Sequence, residues 1–297
     1  MTRLDDILTG RPEADLAVRG FLFTEGPVWD AARHCLSFSD IPADRIYQWS
    51  PAGGLAVARA PSGKSNGMTR DLEGRLVVCQ HARRRVVRIE RDGSETVLAD
   101  AFDGARLNSP NDVVMRADGS VYFTDPPYGL NAVFGAEGEM ELPFAGLFRI
   151  GVDGALEALC TTITPNGLAF SPDETLLYVA DTELGALFAF DVLGGGDLSP
   201  PRLFARVAPG MAAPDGVKVD REGRVYTTGP GGIWIFEPSG RQVGIIGVPE
   251  LPANLAWGGS EWRDLYITAR TSLYHVRLAV AGIPPARAAA GLEVPAP

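Results

Sequence analysis

Short apolar runs that end near a polar or small residue recur along the chain at a nearly constant interval. Each run is rich in β-branched and aromatic side chains, which favour a strand packed on both faces. The interval between successive runs is roughly 40 to 56 residues, a range typical of propeller blades. The six runs are residues 36–40, 76–80, 121–125, 177–181, 225–229 and 265–269. The pattern predicts an all-β chain that folds as a six-bladed β-propeller.

Each of these runs has strand-like neighbours on both sides. A short apolar strand precedes it and another strand follows, and turns built from Asp, Gly, Ser or Pro separate them. Blades of three or four strands bury their faces only when they close into a ring. We therefore predict one domain over residues 1–297, with a strand near residues 14–23 as the outer strand of the sixth blade. Residues 126–141 are expected to form a long loop, and the Ala- and Pro-rich residues 279–297 a loosely packed tail.

An oxygen-bearing side chain lies ten or eleven residues before every repeated run. A single Asn-Gly or Asp-Gly pair is an ordinary turn, but a turn does not require the same residue type in all six blades. The first strand of a blade lines the central channel, so the six side chains are predicted to form a ring at one mouth. They are Glu25, Asn66, Asn111, Asn166, Asp215 and Asn254, and four of them are followed by glycine.

A ring of carboxylate and amide oxygens suits a hard cation. Ca²⁺ takes six to eight oxygen ligands, and Glu25 and Asp215 would balance its charge. The net charge of −10 is consistent with a cationic partner. Zn²⁺ prefers nitrogen and sulfur, which the ring does not offer. We predict one divalent cation, with Ca²⁺ as the first choice and Zn²⁺, Mg²⁺ and Mn²⁺ as alternatives.

The mouth should also carry the ends of the second strands, because each second strand runs antiparallel to the first. We predict that some of these residues and two ring members contact a substrate. The predicted contacts are Asn66, His81, Asp125, Tyr128, Asn254 and Arg270. Asp40 and Asp181 occupy similar positions and are expected to act as turn or indirect residues.

Composition excludes several partners. The acidic balance and the lack of a basic stripe argue against nucleic acid, with only the short turn at residues 81–85 as a basic cluster. No run approaches the ~20 apolar residues of a membrane span, and no signal-peptide pattern is visible. Three cysteines without metal-ligand spacing suit reduced thiols. The expectation is a cytoplasmic protein, a monomer or weak homo-oligomer, with a small-molecule partner.

Five motifs together resemble the senescence-marker-protein/gluconolactonase/luciferin-regenerating family, which includes regucalcin, and are most similar to its bacterial gluconolactonase branch. They lie at residues 24–29, 108–112, 124–129, 165–170 and 214–216. The resemblance implies a propeller with one divalent metal, commonly Ca²⁺. It implies ligation by Glu25, Asn166 and Asp215, with Asn111 as a direct or near ligand, and a catalytic role for Asp215.

The sequence departs from the regucalcin pattern at the sugar contacts. Regucalcin has an arginine two residues before the asparagine that matches Asn111, where this chain has Ser109. Regucalcin also has a glutamate after the next strand, and residues 125–130 contain none. Substrate contacts are therefore not transferable from that branch, and Asp125, Tyr128 and His81 are the predicted replacements.

These features predict a metal-dependent hydrolase that opens sugar lactones such as glucono-1,5-lactone to the aldonic acid. The metal would polarise the carbonyl, and Asp215 would act as general base or as nucleophile. One alternative is a phosphotriesterase-like or arylesterase-like hydrolase on the same scaffold. The other is a non-catalytic propeller that serves as a binding platform, since fold does not determine function.

Overall fold

Six four-stranded antiparallel sheets form the protein in the computed structural model, which describes residues 2–207 and 213–285. The strands of blade 1 are Thr24–Asp30, Cys35–Asp40, Arg45–Ser50 and Gly54–Arg59. Those of blade 2 are Ser65–Arg70, Leu76–Gln80, Arg85–Ile89 and Glu95–Ala99. Those of blade 3 are Val113–Met115, Val121–Asp125, Gly146–Ile150 and Leu156–Cys160. The predicted all-β, six-bladed propeller is confirmed.

The second half of the chain repeats the arrangement. The strands of blade 4 are Pro165–Phe170, Leu176–Asp181, Ala186–Asp191 and Arg202–Arg206. Those of blade 5 are Val217–Val219, Val225–Gly229, Gly232–Phe236 and Gln242–Gly247. Those of blade 6 are Asn254–Gly258, Asp264–Ala269, Ser272–Arg277 and, from the N-terminus, Asp15–Arg19. Outside the blades lie the hairpin Ala101–Phe102 with Ala105–Arg106 and the 3₁₀ turns Leu4–Asp6, Pro127–Gly129 and Gly194–Gly196.

The ring is closed by strands from both ends of the chain. Asp15–Arg19 pairs antiparallel with Ser272–Arg277, with Asp15 opposite His275 and Arg19 opposite Ser272. This makes the N-terminal strand the outermost strand of blade 6. A propeller closed in this way leaves only short edges for pairing with other chains.

A repeated tyrosine explains much of the packing between blades. The second strands of four blades carry a buried tyrosine one residue after the position where the predicted run begins, namely Tyr122, Tyr178, Tyr226 and Tyr266. Three of these rings contact an aromatic side chain from the first strand of the following blade, in the pairs Tyr122–Phe170, Tyr226–Trp257 and Tyr266–Trp29, with centroids 5.0 to 5.4 Å apart. Aromatic pairs at this distance add to the burial of apolar surface.

The C-terminal segment corrects one prediction. Residues 279–285 do not form a loosely packed tail but lie across the end of the channel opposite the ring. Gly282 donates its N–H to the Trp262 carbonyl at 2.8 Å and forms a bridge with Asp220 of blade 5. Ile283 and Pro285 line a cavity of about 110 Å³ in the channel. The segment packs because its apolar side chains cover apolar channel walls. The rest of the predicted tail, 286–297, lies outside the described residues.

No helix in the described ranges is long and apolar enough to cross a membrane.

Candidate functional site

The ring residues lie at the starts of the first strands or, in blades 3 and 5, two residues before them, as the repeat predicted. In blades 1, 2 and 4 the ladder between the first two strands slips by one residue at the ring position. The slips lie between Glu25 and Val28, between Ser65 and Met68, and between Pro165 and Leu168. Such bulges turn a side chain out of its regular direction and are frequent beside active sites. All ring residues are buried except Asp215, which is partly exposed at the mouth.

Glycines after the ring residues allow neighbouring blades to approach each other at the backbone. A Cβ atom on Gly26 would lie 1.9 Å from the Asn66 carbonyl oxygen, and one on Gly167 would lie 2.4 Å from the Asp215 carbonyl oxygen. Gly67 and Gly216 are equally crowded, against Asn111 and Asn254. Because only glycine fits, the four glycines bring successive ring residues together. The sequence showed these glycines but not that they serve close packing.

Hydrogen bonds continue the ring where blade 6 meets blade 1. The Asn254 Nδ2 donates to Glu25 Oε2 at 3.0 Å, and the Leu255 N–H donates to Asn254 Oδ1 at 2.9 Å. The amide oxygen of Asn254 is thus already engaged. Asn254 therefore orients Glu25. The contact of Asn254 with a substrate stays a prediction.

Three carboxylates interact in the channel, and one of them was missed by the sequence reasoning. Burial and the neighbouring Asp112 raise the pKa of Glu25 from 4.5 to about 7. Burial, followed by the charges of Glu25 and Asp112, raises the pKa of Asp215 well above its usual value. Groups of like charge brought together away from water resist ionisation. The site therefore favours a positive charge.

Lys218 supplies one positive charge beneath the ring. Its Nζ lies 3.6 Å from Asp112 Oδ2, and its charge lowers the pKa of both Glu25 and Asp215. In the sequence, Lys218 stands out as a lysine in an otherwise apolar strand. Asp112 stands out because four other blades have glycine directly after the ring residue. Neither residue indicated its partner.

Two ring amides carry an oxygen without a partner. The Oδ1 atoms of Asn66 and Asn166 are buried and accept no hydrogen bond in the structure. Their nitrogens do have partners, His81 Nε2 at 3.1 Å and Thr182 Oγ1 at 2.9 Å. A buried polar atom without a hydrogen-bond partner destabilises the fold by about 1–3 kcal/mol. A ligand bound in the channel would supply the missing partner for such an atom.

Asp125 binds the segment before the first strand of blade 3 through Oδ2, while Oδ1 is buried without a partner. Its contact with a substrate stays a prediction. Its side chain is fully buried, and Oδ2 accepts the N–H of Asn108 at 2.7 Å. Asp40 and Asp181, at the same place in blades 1 and 4, likewise accept backbone N–H groups from the segment before the first strand. The three aspartates fix that segment. Comparison of the repeats would have revealed this shared role.

His81 lies between Asn66 of the ring and the Phe134 backbone of the loop. Both ring nitrogens have protein partners, Nε2 with Asn66 and Nδ1 with the Phe134 carbonyl at 3.0 Å. No ring nitrogen is left for a substrate. Burial lowers the pKa of His81 to about 4. The histidine therefore belongs to the support of the ring.

The remaining predicted contacts lie at the mouth. Tyr128 is partly exposed, and burial raises its pKa above the usual value. Arg270 is exposed in the hairpin after the second strand of blade 6. Ser109, which replaces an arginine of the regucalcin pattern, donates to the Pro126 carbonyl and accepts the Gly129 N–H at 2.8 Å. Ser109 thus holds the start of the predicted loop at 126–141.

That loop covers one side of the mouth. Lys64 donates to the Val133 carbonyl at 3.0 Å, and the Phe134 ring meets Phe23 of blade 1 edge to face at 5.1 Å. A Cβ on Gly129 would lie 2.6 Å from the His81 ring, so the loop rests directly on that histidine. The loop therefore forms a wall that is fixed to blades 1 and 2.

Comparisons with known proteins agree with this architecture. The model of the SMP-30/Gluconolactonase/LRE-like region matches residues 23–271. The gluconolactonase of Zymomonas mobilis is 33% identical, over 93% of this chain and 84% of that protein. The pentonolactonase XacC of Haloferax volcanii is 28% identical, over 82% of this chain and 80% of that protein.

A solved structure supports the same family and architecture. A gluconolactonase from Xanthomonas campestris superposes with a TM-score of 0.86 and is 34% identical, over 93% of this chain and 92% of that one. The fold and the ring thus define a propeller of the lactonase class. The chain belongs to the SMP-30/gluconolactonase/LRE-like family, as its motifs predicted.

Proposed function

We propose that this protein hydrolyses sugar lactones, with glucono-1,5-lactone as the first candidate, and that it uses one divalent cation, preferably Ca²⁺. The enzyme is a lactonase, like its gluconolactonase and pentonolactonase relatives. The observation that carries the proposal is the ring of buried oxygen donors in a protein of this family. Which lactone it uses is a finer question, since the relatives act on both gluconolactone and pentonolactone.

The side chains present fit a hard cation. Glu25 and Asp215 repel each other and Asp112, a repulsion that a divalent charge would remove. Asn166 Oδ1 is a buried oxygen with no partner. Within residues 2–207 and 213–285, no three His, Cys, Asp or Glu side chains cluster as a metal site, so amide oxygens would complete this one. We assign ligation to Glu25, Asn166 and Asp215, with Asn111 as a direct or near ligand.

Asp215 is the residue proposed to act on the substrate. It is partly exposed at the mouth, and its raised pKa makes the carboxylate a stronger base than a free aspartate. As general base it would take a proton from the water that attacks the carbonyl carbon. The carbon–oxygen bond of the ring then breaks, the ring oxygen takes a proton, and a hydroxy acid leaves. Direct attack by the carboxylate is the second route.

A bound cation would supply Lewis-acid polarisation of the carbonyl and would stabilise developing negative charge. The chain itself contributes orientation. The Asp215 N–H donates to Thr228 Oγ1 at 2.9 Å, which holds the backbone of the base. Tyr128 and Arg270 offer a hydroxyl and a guanidinium at the mouth to bind hydroxyl groups of the sugar.

The test is proton release from glucono-1,5-lactone and from a pentonolactone, corrected for spontaneous hydrolysis, by metal-stripped protein before and after Ca²⁺ is added. Activity that appears only with Ca²⁺ supports the whole proposal, and the ratio of the two rates identifies the preferred lactone. Equal activity without metal would overturn the cation requirement. Inactivity towards both lactones with Ca²⁺, Mg²⁺, Mn²⁺ and Zn²⁺ would overturn the substrate and favour an aryl ester or a phosphotriester.

A further inference from the structure

Asn66 and Asn166 share one arrangement of the side-chain amide, and the proposed reaction does not explain what fixes it. In both, the amide nitrogen is hydrogen-bonded within the protein and the amide oxygen is buried without a partner. If the side-chain amide could rotate freely, Oδ1 and Nδ2 would exchange places and each would meet the other's hydrogen-bond partners. Something must therefore hold each amide with its oxygen unpaired.

For Asn66 the constraint begins at the Phe134 backbone. A carbonyl oxygen only accepts, so His81 Nδ1, 3.0 Å away, must carry a proton. The pKa of His81, lowered to about 4 by burial, leaves the ring neutral near pH 7. A neutral ring with a proton on Nδ1 has none on Nε2. Nε2 must accept, so Asn66 presents its Nδ2–H at 3.1 Å and turns Oδ1 away from the histidine.

For Asn166 the constraint begins at the Pro214 backbone carbonyl. The Thr182 hydroxyl lies 2.7 Å from the Pro214 carbonyl oxygen, which again only accepts, so the single hydroxyl proton is committed there. The hydroxyl oxygen must then accept from Asn166 Nδ2 at 2.9 Å. Asn166 Oδ1 is thereby turned away from Thr182.

We infer that His81 and Thr182 are positioning residues, each of which transmits the direction of a fixed backbone carbonyl to a ring asparagine so that the amide oxygen faces the ligand. In this assignment, which rests on the proposed function, Asn166 Oδ1 is set for the cation and Asn66 Oδ1 for a hydroxyl group of the lactone. Phe134 belongs to the loop over the mouth, so the loop position and the Asn66 orientation are linked.

Two substitutions of His81 separate its two hydrogen bonds. His81→Asn places an N–H near the position of Nδ1, so the Phe134 bond survives and the Asn66 bond is lost. His81→Gln places an amide oxygen near the position of Nε2, so the Asn66 bond survives and the Phe134 bond is lost. In His81→Asn we expect kcat/KM to fall by about tenfold, mainly through a higher KM. This fall corresponds to about 1.4 kcal/mol, the size of one hydrogen bond. In His81→Gln we expect kcat/KM to change by less than about threefold.

A double variant tests whether His81 acts through Asn66. In an Asn66→Ala background, His81→Asn should cost nothing further, because the amide that it orients is absent. Additive losses, or an equal loss in His81→Gln and His81→Asn, would overturn the positioning role.

The tautomer of His81 gives a readout that needs no activity. The chain has three histidines, so nitrogen NMR of the imidazoles is tractable, and the signal missing from His81→Gln identifies the residue. We expect a proton on Nδ1 and none on Nε2 near pH 7. A proton on Nε2 would reverse the Asn66 amide and overturn the inference even in an inactive protein.

Thr182 is tested by cation binding. Thr182→Val keeps the shape and removes the hydroxyl, whereas Thr182→Ser keeps the hydroxyl. Calorimetry with Ca²⁺ should show affinity about tenfold weaker for Val and within about threefold of wild type for Ser. Wild-type affinity in the Val variant would overturn the Thr182 assignment. If the wild-type protein itself binds no Ca²⁺, the proposed function fails, while the His81 tautomer still decides the first half of the inference.

Discussion

The two ends of the central channel have opposite chemistry. The mouth carries the ring, with buried carboxylates that repel one another and amide oxygens without partners. The opposite end is apolar, lined by Trp29, Met68 and Trp257 and covered by Ile283 and Pro285. Mutual repulsion and unpaired oxygens destabilise the metal-free fold, whereas apolar burial stabilises it. The mouth therefore serves function at a cost in stability, and the opposite end serves stability.

Removal of the proposed base should give the largest effect. Asp215→Asn should lower kcat by at least about a hundredfold, because general-base catalysis contributes factors of this size or more. The metal-free variant should melt no lower than metal-free wild type, since the substitution removes one of the carboxylates that repel each other. The assay is initial-rate kinetics with Ca²⁺ present, paired with thermal unfolding. Asp197→Asn, at an exposed position, is the matched control. Full turnover by Asp215→Asn would rule out the assignment.

Loss of a proposed ligand charge should weaken cation binding. Glu25→Gln keeps the size and the Asn254 contact but removes one carboxylate, and charge count sets Ca²⁺ affinity. We expect the Kd for Ca²⁺ to rise by at least about tenfold. Calorimetry on metal-stripped protein measures it. An unchanged Kd would place the cation elsewhere.

At the opposite end, a substitution should act on stability alone. A Cβ on Gly282 would lie 1.8 Å from the Trp257 ring, so Gly282→Ala must displace the covering segment. Strain of this kind costs about 1–3 kcal/mol. We expect a lower Tm with kcat within about twofold of wild type, as transition-state contacts are untouched. Gly194→Ala, where a Cβ meets no atom within 4 Å, is the control. A large fall in kcat at unchanged Tm would contradict the separation of roles.

Lys218 lies between the two ends, and its removal should have a smaller effect of unusual sign. Lys218→Met removes a positive charge near the cation site, so Ca²⁺ should bind more tightly, by about threefold to tenfold. The metal-free protein should lose stability, because Asp112 is left buried and unpaired. Lys218→Arg should behave like wild type. Weaker Ca²⁺ binding in the Met variant would show that the charges of the ring and Lys218 are not coupled as described.

The pH dependence of stability should be the mildest effect. Folding raises the pKa of Glu25 from 4.5 to about 7, so its favourable contribution is full below pH 4.5 and is lost as the pH rises through 7. Metal-free protein should therefore melt at lower temperature at pH 8 than at pH 5. Glu25→Gln should reduce the change of melting temperature with pH. Burial also raises the pKa of Asp125 to about 7, so Asp125 should account for part of the change that remains. A slope identical in wild type and Glu25→Gln would exclude Glu25 as its source.

The repeat made the fold predictable, and it also located the ring. Six blades, the second strands and the six oxygen-bearing positions all follow from residues that recur at a fixed offset. The role of Asp125 was predictable in principle, because Asp40 and Asp181 occupy the same position and were expected to be turn residues. A residue type that recurs at the same position in several blades is therefore better interpreted first as a structural residue.

Contacts between distant residues were beyond the sequence. The role of His81 depends on a carbonyl 53 residues away, in a loop that has no counterpart in the other blades. The partner of Lys218 belongs to another blade. The packing of residues 279–285 depends on the shape of the channel end, which an Ala- and Pro-rich composition does not encode. Hydrogen-bond direction and charge pairing across blades follow only from the assembled ring.

The central claim is that the mouth is a cation site, and titration of Ca²⁺ into metal-stripped wild-type protein tests it most directly. Calorimetry near pH 6, repeated in buffers with different ionisation heats, gives the stoichiometry and the protons released. The account predicts one Ca²⁺ per chain with release of protons, because carboxyl groups with raised pKa must ionise to bind it. The absence of saturable binding by Ca²⁺, Mg²⁺, Mn²⁺ and Zn²⁺ would contradict it.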